Sequence, residues 1–496
     1  MTGHAQRWCA RSRAAARGLG LAALLGVLSG CATNPVTGEP DFVLMSEREE
    51  IALGRQYHPQ ILEEFGRYED PALRRYVESV GDRLARQSHR PDLVYRFNVL
   101  DSPDVNAFAL PGGYIYVTRG LLAYLNSEAQ LAAVLGHEIG HVTARHAVRQ
   151  HSAATVTGIL GAVIGAQTRS RAAQDVLNVL GTALLRGYGR DMELEADRLG
   201  ARYLARGGYE PDAMLRVIEV LKDQEEFEKQ RAEAEDREPR VYHGVFATHP
   251  SNDARLQEVV HAARSLHVAG EPTVQREAFL RKLDGLSFGD SARKGVRRDS
   301  RFYHAELGFA IRFPEGWAVE NLRDRVVAFA PQRSALLNLR VEDINKRISP
   351  REFIEQRLGI DELRQGEALS PAGLEGYTGV AQARTPFGSR LTRVAVIYYE
   401  ERAYVLLGAA KAADRPFAYD SSFLETARSL HPLSEAERAL ARPKVLRLIP
   451  AEPGTTFAAL ARRSPIPNHA EAQLRLLNGL YPDGQPEPGA LIKIVE

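Results

Sequence analysis

Gly136-His137-Glu138-Ile139-Gly140-His141 decides how this chain is read, because it sets two histidines four residues apart in a stretch with helical character. On a helix such residues share one face, so both imidazoles can reach a single zinc ion. Glu138, beside the first histidine, is then placed to take a proton from a water that the metal activates. The pattern HExxH fixes only three positions and can arise by chance in 496 residues, so its surroundings matter. Ser127 with Gln130 caps the helix that carries it.

A catalytic zinc needs a third protein ligand and an open position. Glu193-Leu194-Glu195-Ala196-Asp197 offers one on a second helix, where Glu193 completes a set of two histidines and a carboxylate. Asp197 follows one turn later on the same face and can accept a hydrogen bond from a ligand imidazole, fixing its tautomer. Glu195 is expected to point elsewhere as a surface charge. His146, five residues beyond His141, is expected off the metal face and at the surface.

The N-terminus speaks to location. Arg7, Arg11, Arg13 and Arg17 precede an apolar run at 19–28, too short to span a bilayer permanently, which is the pattern of a secretory signal. The run ends in Leu28-Ser29-Gly30-Cys31, which looks like a bacterial lipobox. Cys31 would be the diacylated first residue of the mature chain, held to a membrane by buried methylenes. Ala32, where an aspartate would retain the protein at the inner membrane, implies the outer membrane. An ordinary signal peptide with an incidental cysteine is the competing reading. The chain has two cysteines, Cys9 in the segment to be removed and Cys31, so no disulfide or thiolate ligand remains to the mature protein. A net charge of +1 gives no electrostatic bias toward nucleic acid.

Capping and periodicity lay out the rest. Ser46 with Glu49 forms a capping box before a helix to about 66, and a second helix covers 71–87. A strand at 95–100 is followed by two strands, 106–110 and 114–117, joined at Pro111-Gly112-Gly113. The small-residue stretch 155–166 reads as a buried helix or a lid over the site, with membrane dipping as the sharper alternative. A helix at 191–206 stops at Gly207-Gly208, another begins at Pro211 and runs into the charged stretch 225–238, and a last one covers 252–266. Strand-like runs at 326–329, 337–341, 392–399 and 404–407, with helices near 350–358 and 422–430, make a second region α+β. The tail gives strand, helix, helix, strand at 445–449, 457–462, 470–477 and 491–495.

The pair HExxH and ExxxD, set in Gly136 to His141 and Glu193-Leu-Glu-Ala-Asp-Arg-Leu-Gly200, resembles the family-48 metallopeptidases. Asn106-Ala-Phe-Ala-Leu-Pro-Gly-Gly113 and Thr248-His249-Pro250 through Arg255 match the same family, over about 42–268. The resemblance implies one Zn2+ per chain on His137, His141 and Glu193, with Glu138 as general base. For His249 it implies a self-inhibiting fourth ligand or a transition-state donor, against the plainer reading of a loop histidine before a helix begun by Pro250. Arg255 either supports the site or makes a structural ion pair. Asn106, Ala107, Phe108 and Ala109 form the strand that would hold an unfolded peptide through main-chain hydrogen bonds.

Residues 308–317 resemble the start of a PsbP-like α/β domain. The tail resembles a LysM-like module, with Thr455 where an acidic residue is usual. The expected fold is thus α+β: a signal at 1–30, a lipidated linker at 31–45, a mostly helical zincin-type metallopeptidase domain with a small β-hairpin sheet at 46–268, a linker at 269–300, a PsbP-like α+β domain at 301–436, and a LysM-like module at 445–496. The expected function is zinc-dependent hydrolysis of unfolded or misassembled envelope proteins in the periplasm. The partners are those proteins, the membrane through Cys31, and peptidoglycan if the tail binds glycan. An assembly chaperone with a self-inhibited metal site, and a peptidoglycan-tethered scaffold, are the alternatives from other classes.

Overall fold

The computed structural model describes residues 31–153, 188–235, 266, 268, 270–322, 324–360 and 362–496. They fall into two compact units, one drawn from residues up to 286 together with 446–496, the other from 287–445. The signal at 1–30, the stretch 155–166, the segment Thr248 to Arg255 and almost all of the expected helix at 252–266 lie outside the described residues. Among the described residues no helix is long and apolar enough to cross a membrane.

In the first unit, residues 31–45 are not a bare linker. Strand β1 (Cys31–Thr33) pairs antiparallel with β2 (Pro40–Phe42), and the chain then enters α1 (Glu47–Phe65). Ser46 and Glu49 form the expected capping box, with the Glu49 carboxylate accepting from the Ser46 amide at 2.8 Å. Helix α2 (Pro71–Ala85) begins on Asp70, whose carboxylate accepts from the amides of Ala72 and Leu73, and buries Leu73, Val77, Val80 and Leu84 along one stripe. Strand β3 (Arg96–Leu100) runs parallel to β5 (Tyr114–Thr118), and β4 (Ala107–Leu110) pairs antiparallel with β5 from the other side. The turn between β4 and β5 puts Gly112 and Gly113 at φ of 76° and 88°, backbone that glycine adopts without strain. After the short α3 (Arg119–Tyr124) comes α4 (Glu128–Thr143), nearly every residue of which is buried. It is the axis of the unit. Helices α5 (Arg190–Arg206) and α6 (Ala213–Ala234) pack around it.

One buried carboxylate ties the ends of these elements together. Glu50, on α1, receives Arg90 at 2.9 Å and Arg145 at 2.9 Å. Arg90 also donates to the Val142 carbonyl at the end of α4, and Arg145 to the Met45 carbonyl. The two cations therefore clamp the exit of α4 against the start of α1.

The sequence 269–300 is more than a linker: α7 (Arg276–Leu283) buries Phe279, Leu280 and Leu283 in the first unit. Nor is the tail a separate module. Its strands Lys444–Pro450 and Leu491–Val495 pair with each other from Leu446 onward, and it joins the first unit through Lys493. That ammonium is fully buried and donates to the Ala123 and Leu125 carbonyls at 2.6 and 2.8 Å, at the end of α3. Gln473 donates to the Tyr124 hydroxyl at 2.7 Å beside it.

The second unit is built on a seven-stranded antiparallel sheet with the order Ala318–Asn321, Arg325–Phe329, Ala335–Asp343, Arg402–Ala410, Gly388–Tyr399, Gly376–Thr385, Arg364–Leu369. Successive residues feed opposite faces. Ala395 and Ile397 pack with Phe309, Leu337 and Phe423, while Val394 and Val396 pack with Phe353 and Ile354. The strands at 364–369 and 376–385 carry little apolar alternation and were not expected from sequence.

Replacing Glu50 with Ala would take the buried counter-charge from Arg145 and leave Arg90 with the exposed Glu47, a change that costs about 3–5 kcal/mol. Chemical denaturation of the purified chain should show that loss in the first unit's transition, and an unchanged midpoint would rule the clamp out as a source of stability.

Candidate metal centre

Helices α4 and α5 approach more closely than side chains normally permit, because the residues between them are small. A Cβ added at Gly140 would lie 2.9 Å from the Ala196 carbonyl oxygen, and one at Gly200 would lie 3.0 Å from the His137 nitrogen. The first distance is one that real Cβ atoms essentially never show, and the second is tighter than nine in ten real contacts. The contact brings His137 and His141 of α4 against Glu193 of α5. Their ligand atoms all lie within 4.8 Å of one another, and all three residues are buried.

The two Nε2 atoms are 2.9 Å apart, and Glu193 places its Oε2 3.5 Å from that of His137 and its Oε1 3.5 Å from that of His141. Donors bound at 2.0–2.1 Å around a tetrahedral ion stand about 3.3 Å apart, so the spacing fits. Two nitrogens and a carboxylate oxygen are also a donor set that a divalent cation of the zinc type accepts. Electrostatics agrees. Burial works against a charged imidazole at His137, yet hydrogen bonds to Asp197 and Glu193, with their negative charges, outweigh it and push its pKa up to about 10. The carboxylates thus demand positive charge at this point.

Asp197 stands 2.8 Å from His137 Nδ1, which leaves Nε2 directed at the ligand cluster. Glu138 lies beside His137 on the same turn and is buried. Strand β4 is one of the two outer strands of its sheet, and Ala109 and Leu110 line a small pocket together with His141 and Tyr188. The Tyr188 ring stacks on His141 with centroids 4.1 Å apart. Asn106, just before β4, is held to Thr118: its amide donates to the Thr118 hydroxyl and its carbonyl accepts from that hydroxyl. His249 and Arg255 lie outside the described residues.

Two expectations are overturned. His146 is not at the surface but completely buried, with its Nδ1 2.8 Å from His141 Nδ1. Glu195 lies outside the ligand group, as expected, but is not a solvated surface charge: it accepts from His146 Nε2 at 3.1 Å and from Arg149 at 2.9 Å. The cause is a break in the helix. Helix α4 ends at Thr143, Arg145 takes a φ of 53°, and a new helix starts at 146, so the i+5 offset of about 140° on a continuous helix does not apply. Neither glycine nor proline marks the break, so its only trace in the sequence is a third histidine near the motif.

Residues 71–263 match the model of peptidase family M48. This segment is an M48 peptidase domain. Over 283 residues the chain is 29% identical to the beta-barrel assembly-enhancing protease of Escherichia coli, covering 54% of this chain and 54% of that protein. The mitochondrial metalloendopeptidase OMA1 of Arabidopsis thaliana is 37% identical over 138 residues, 28% of each chain. The chain spans about half the length of the first of these relatives. Among solved structures, cyanobacterial PsbP of Synechocystis resembles 28% of this chain and 96% of its own at 20% identity and a TM-score of 0.22, a likeness too slight to argue from.

Gly140→Ala in the M48 domain should force α4 from α5 and cost about 1–3 kcal/mol by overpacking. Titration with zinc should show weakened binding in the same variant. Wild-type stability and affinity together would mean that the close approach is not needed.

Proposed function

We propose that the chain is a zinc-dependent endopeptidase of the bacterial envelope that cleaves unfolded or misassembled proteins. The convergence of His137, His141 and Glu193 on one point, with Glu138 on the same helical turn and the outer strand β4 alongside, carries this reading. Zinc held by the three ligands would supply Lewis acidity, lowering the pKa of water and polarising the scissile carbonyl.

The chain's own residues do the rest. Ala107, Phe108 and Ala109 on β4 offer main-chain groups to an extended peptide, so affinity comes from strand pairing and places little demand on sequence. Glu138 takes the proton of the attacking water and returns it to the leaving amine. Asp197 holds the His137 ring, and His249 is the candidate for a further ligand or a transition-state donor. An extended backbone is what an unfolded segment presents and a folded one hides. The name of the Escherichia coli relative, which joins assembly to proteolysis, supports misassembled envelope proteins as the substrate class. The signal and lipobox pattern support a periplasmic protein anchored through Cys31 to the outer membrane.

Replacing Glu138 with Gln should lower cleavage of an unfolded protein substrate by a factor of about 10² or more, with zinc content and melting temperature retained. Full activity in that variant would refute the role of Glu138, and rescue of envelope assembly by it would favour the chaperone reading. The strand, helix, helix, strand order of the tail supports the LysM-like reading. Retention of the full chain on cell-wall sacculi should be lost on disrupting the tail; no retention of the wild type removes peptidoglycan as a partner.

A further inference from the structure

We propose that His146 and Glu195 form a positioning relay that fixes the tautomer and orientation of His141 as a metal ligand. The inference rests on the metal site of the proposed function and extends it by two residues.

The atoms leave one consistent arrangement. His141 Nε2 faces His137 Nε2 at 2.9 Å and Glu193 at 3.5 Å, so its lone pair is the one available to a cation. Its hydrogen must then sit on Nδ1, which is 2.8 Å from His146 Nδ1. Two ring nitrogens at that distance share one hydrogen, so His146 Nδ1 accepts. A neutral His146 carries its own hydrogen on Nε2, and that atom meets Glu195 at 3.1 Å, where a carboxylate can only accept. The cation at one end and the carboxylate at the other thus select the same tautomers in both rings.

The two ligand imidazoles are therefore oriented differently. His137 meets its carboxylate, Asp197, directly at 2.8 Å. On its Nδ1 side His141 meets a second imidazole, with the Glu195 carboxylate beyond it. The relay is itself anchored: Arg149 donates to Glu195 at 2.9 Å and lies 3.3 Å from Asp41 of β2. Arg145, in its left-handed conformation and held by Glu50, turns the chain so that His146 falls beneath His141.

The test is competition for zinc against a chromophoric chelator, run on the full chain, with the visible spectrum of the cobalt-substituted protein and the melting temperature of the metal-free protein as companions. His146→Phe keeps the ring and removes the acceptor, and should weaken zinc binding by about tenfold to a hundredfold, the usual effect of losing an outer-shell partner. His146→Asn, whose Oδ1 replaces the Nδ1 acceptor, should recover most of that affinity. Glu195→Ala should weaken binding and alter the cobalt spectrum while leaving the metal-free melting temperature near wild type. A merely structural role would lower the melting temperature without the recovery by Asn. Zinc affinity at the wild-type level in folded His146→Phe overturns the relay, and if that variant does not fold, wild-type affinity in Glu195→Ala overturns it. A wild type that binds no zinc instead refutes the metal-site reading itself.

Discussion

Everything at the site depends on the close contact between α4 and α5 at Gly136, Gly140, Ala196 and Gly200. A three-ligand site split between two helices needs their backbones near enough that short side chains such as histidine and glutamate converge. With ordinary side chains at the crossing, the helices would stand 8–10 Å apart, as packed helices do. The glycines remove that spacer at the turn that carries the histidines. The same residues that leave a hole in each helix surface also weaken helix propensity, so the burial of α4 on nearly all sides must offset the cost.

Close approach alone would leave the rings free to turn. The surrounding buried charges supply the orientation, and they do so in a connected series. Glu50 holds Arg145 in a conformation that a non-glycine residue rarely adopts, and that conformation places His146. Arg90, held by the same carboxylate, adds a side-chain donor to the Val142 carbonyl, which at the end of α4 accepts the tight-turn amide of Arg145 at 3.2 Å in place of a full helical bond. At the other end of α4, Ser127 accepts from the Gln130 amide while Gln130 reaches back to the amide of Asn126. Lys493 satisfies the carbonyls of Ala123 and Leu125 just before that cap. Both ends of the helix that bears the ligands are thus fixed by side chains far away in sequence.

These long-range partners mark the limit of what the sequence discloses. HExxH and ExxxD are legible because a helix converts spacing into direction, and the residues involved lie within single uninterrupted helices. The same rule misplaces His146, and with it hides the partner of Glu195, since it assumes that α4 continues past Thr143, and the turn at Arg145 is imposed by Glu50, 95 residues earlier. The order of strands and helices in the tail is legible from apolar alternation. Its attachment is not, because Lys493 within Leu491-Ile-Lys-Ile-Val495 looks like any solvated lysine until the carbonyls it satisfies are in view. In the second unit the weakly alternating strand at 376–385 exists because its neighbour at 388–399 pairs it, and 364–369 because 376–385 pairs it in turn, so register rather than composition defines them.

The different supports of the two histidines have a physical consequence for how the site bears change. A direct carboxylate at His137 is short and enclosed, since Asp197 is buried with its partner. The support of His141 runs outward through His146 to Glu195 and Arg149, which are each about a quarter exposed, 25% and 27%, and on to Asp41 in the ribbon that follows Cys31. Ion pairs at that exposure are weak and screened by salt, whereas the enclosed pair is not. Of the two rings, His141 is therefore the one whose orientation responds to events at the protein surface. It is also the ring on which Tyr188 stacks, so the chain constrains the more weakly anchored ligand across its ring face as well.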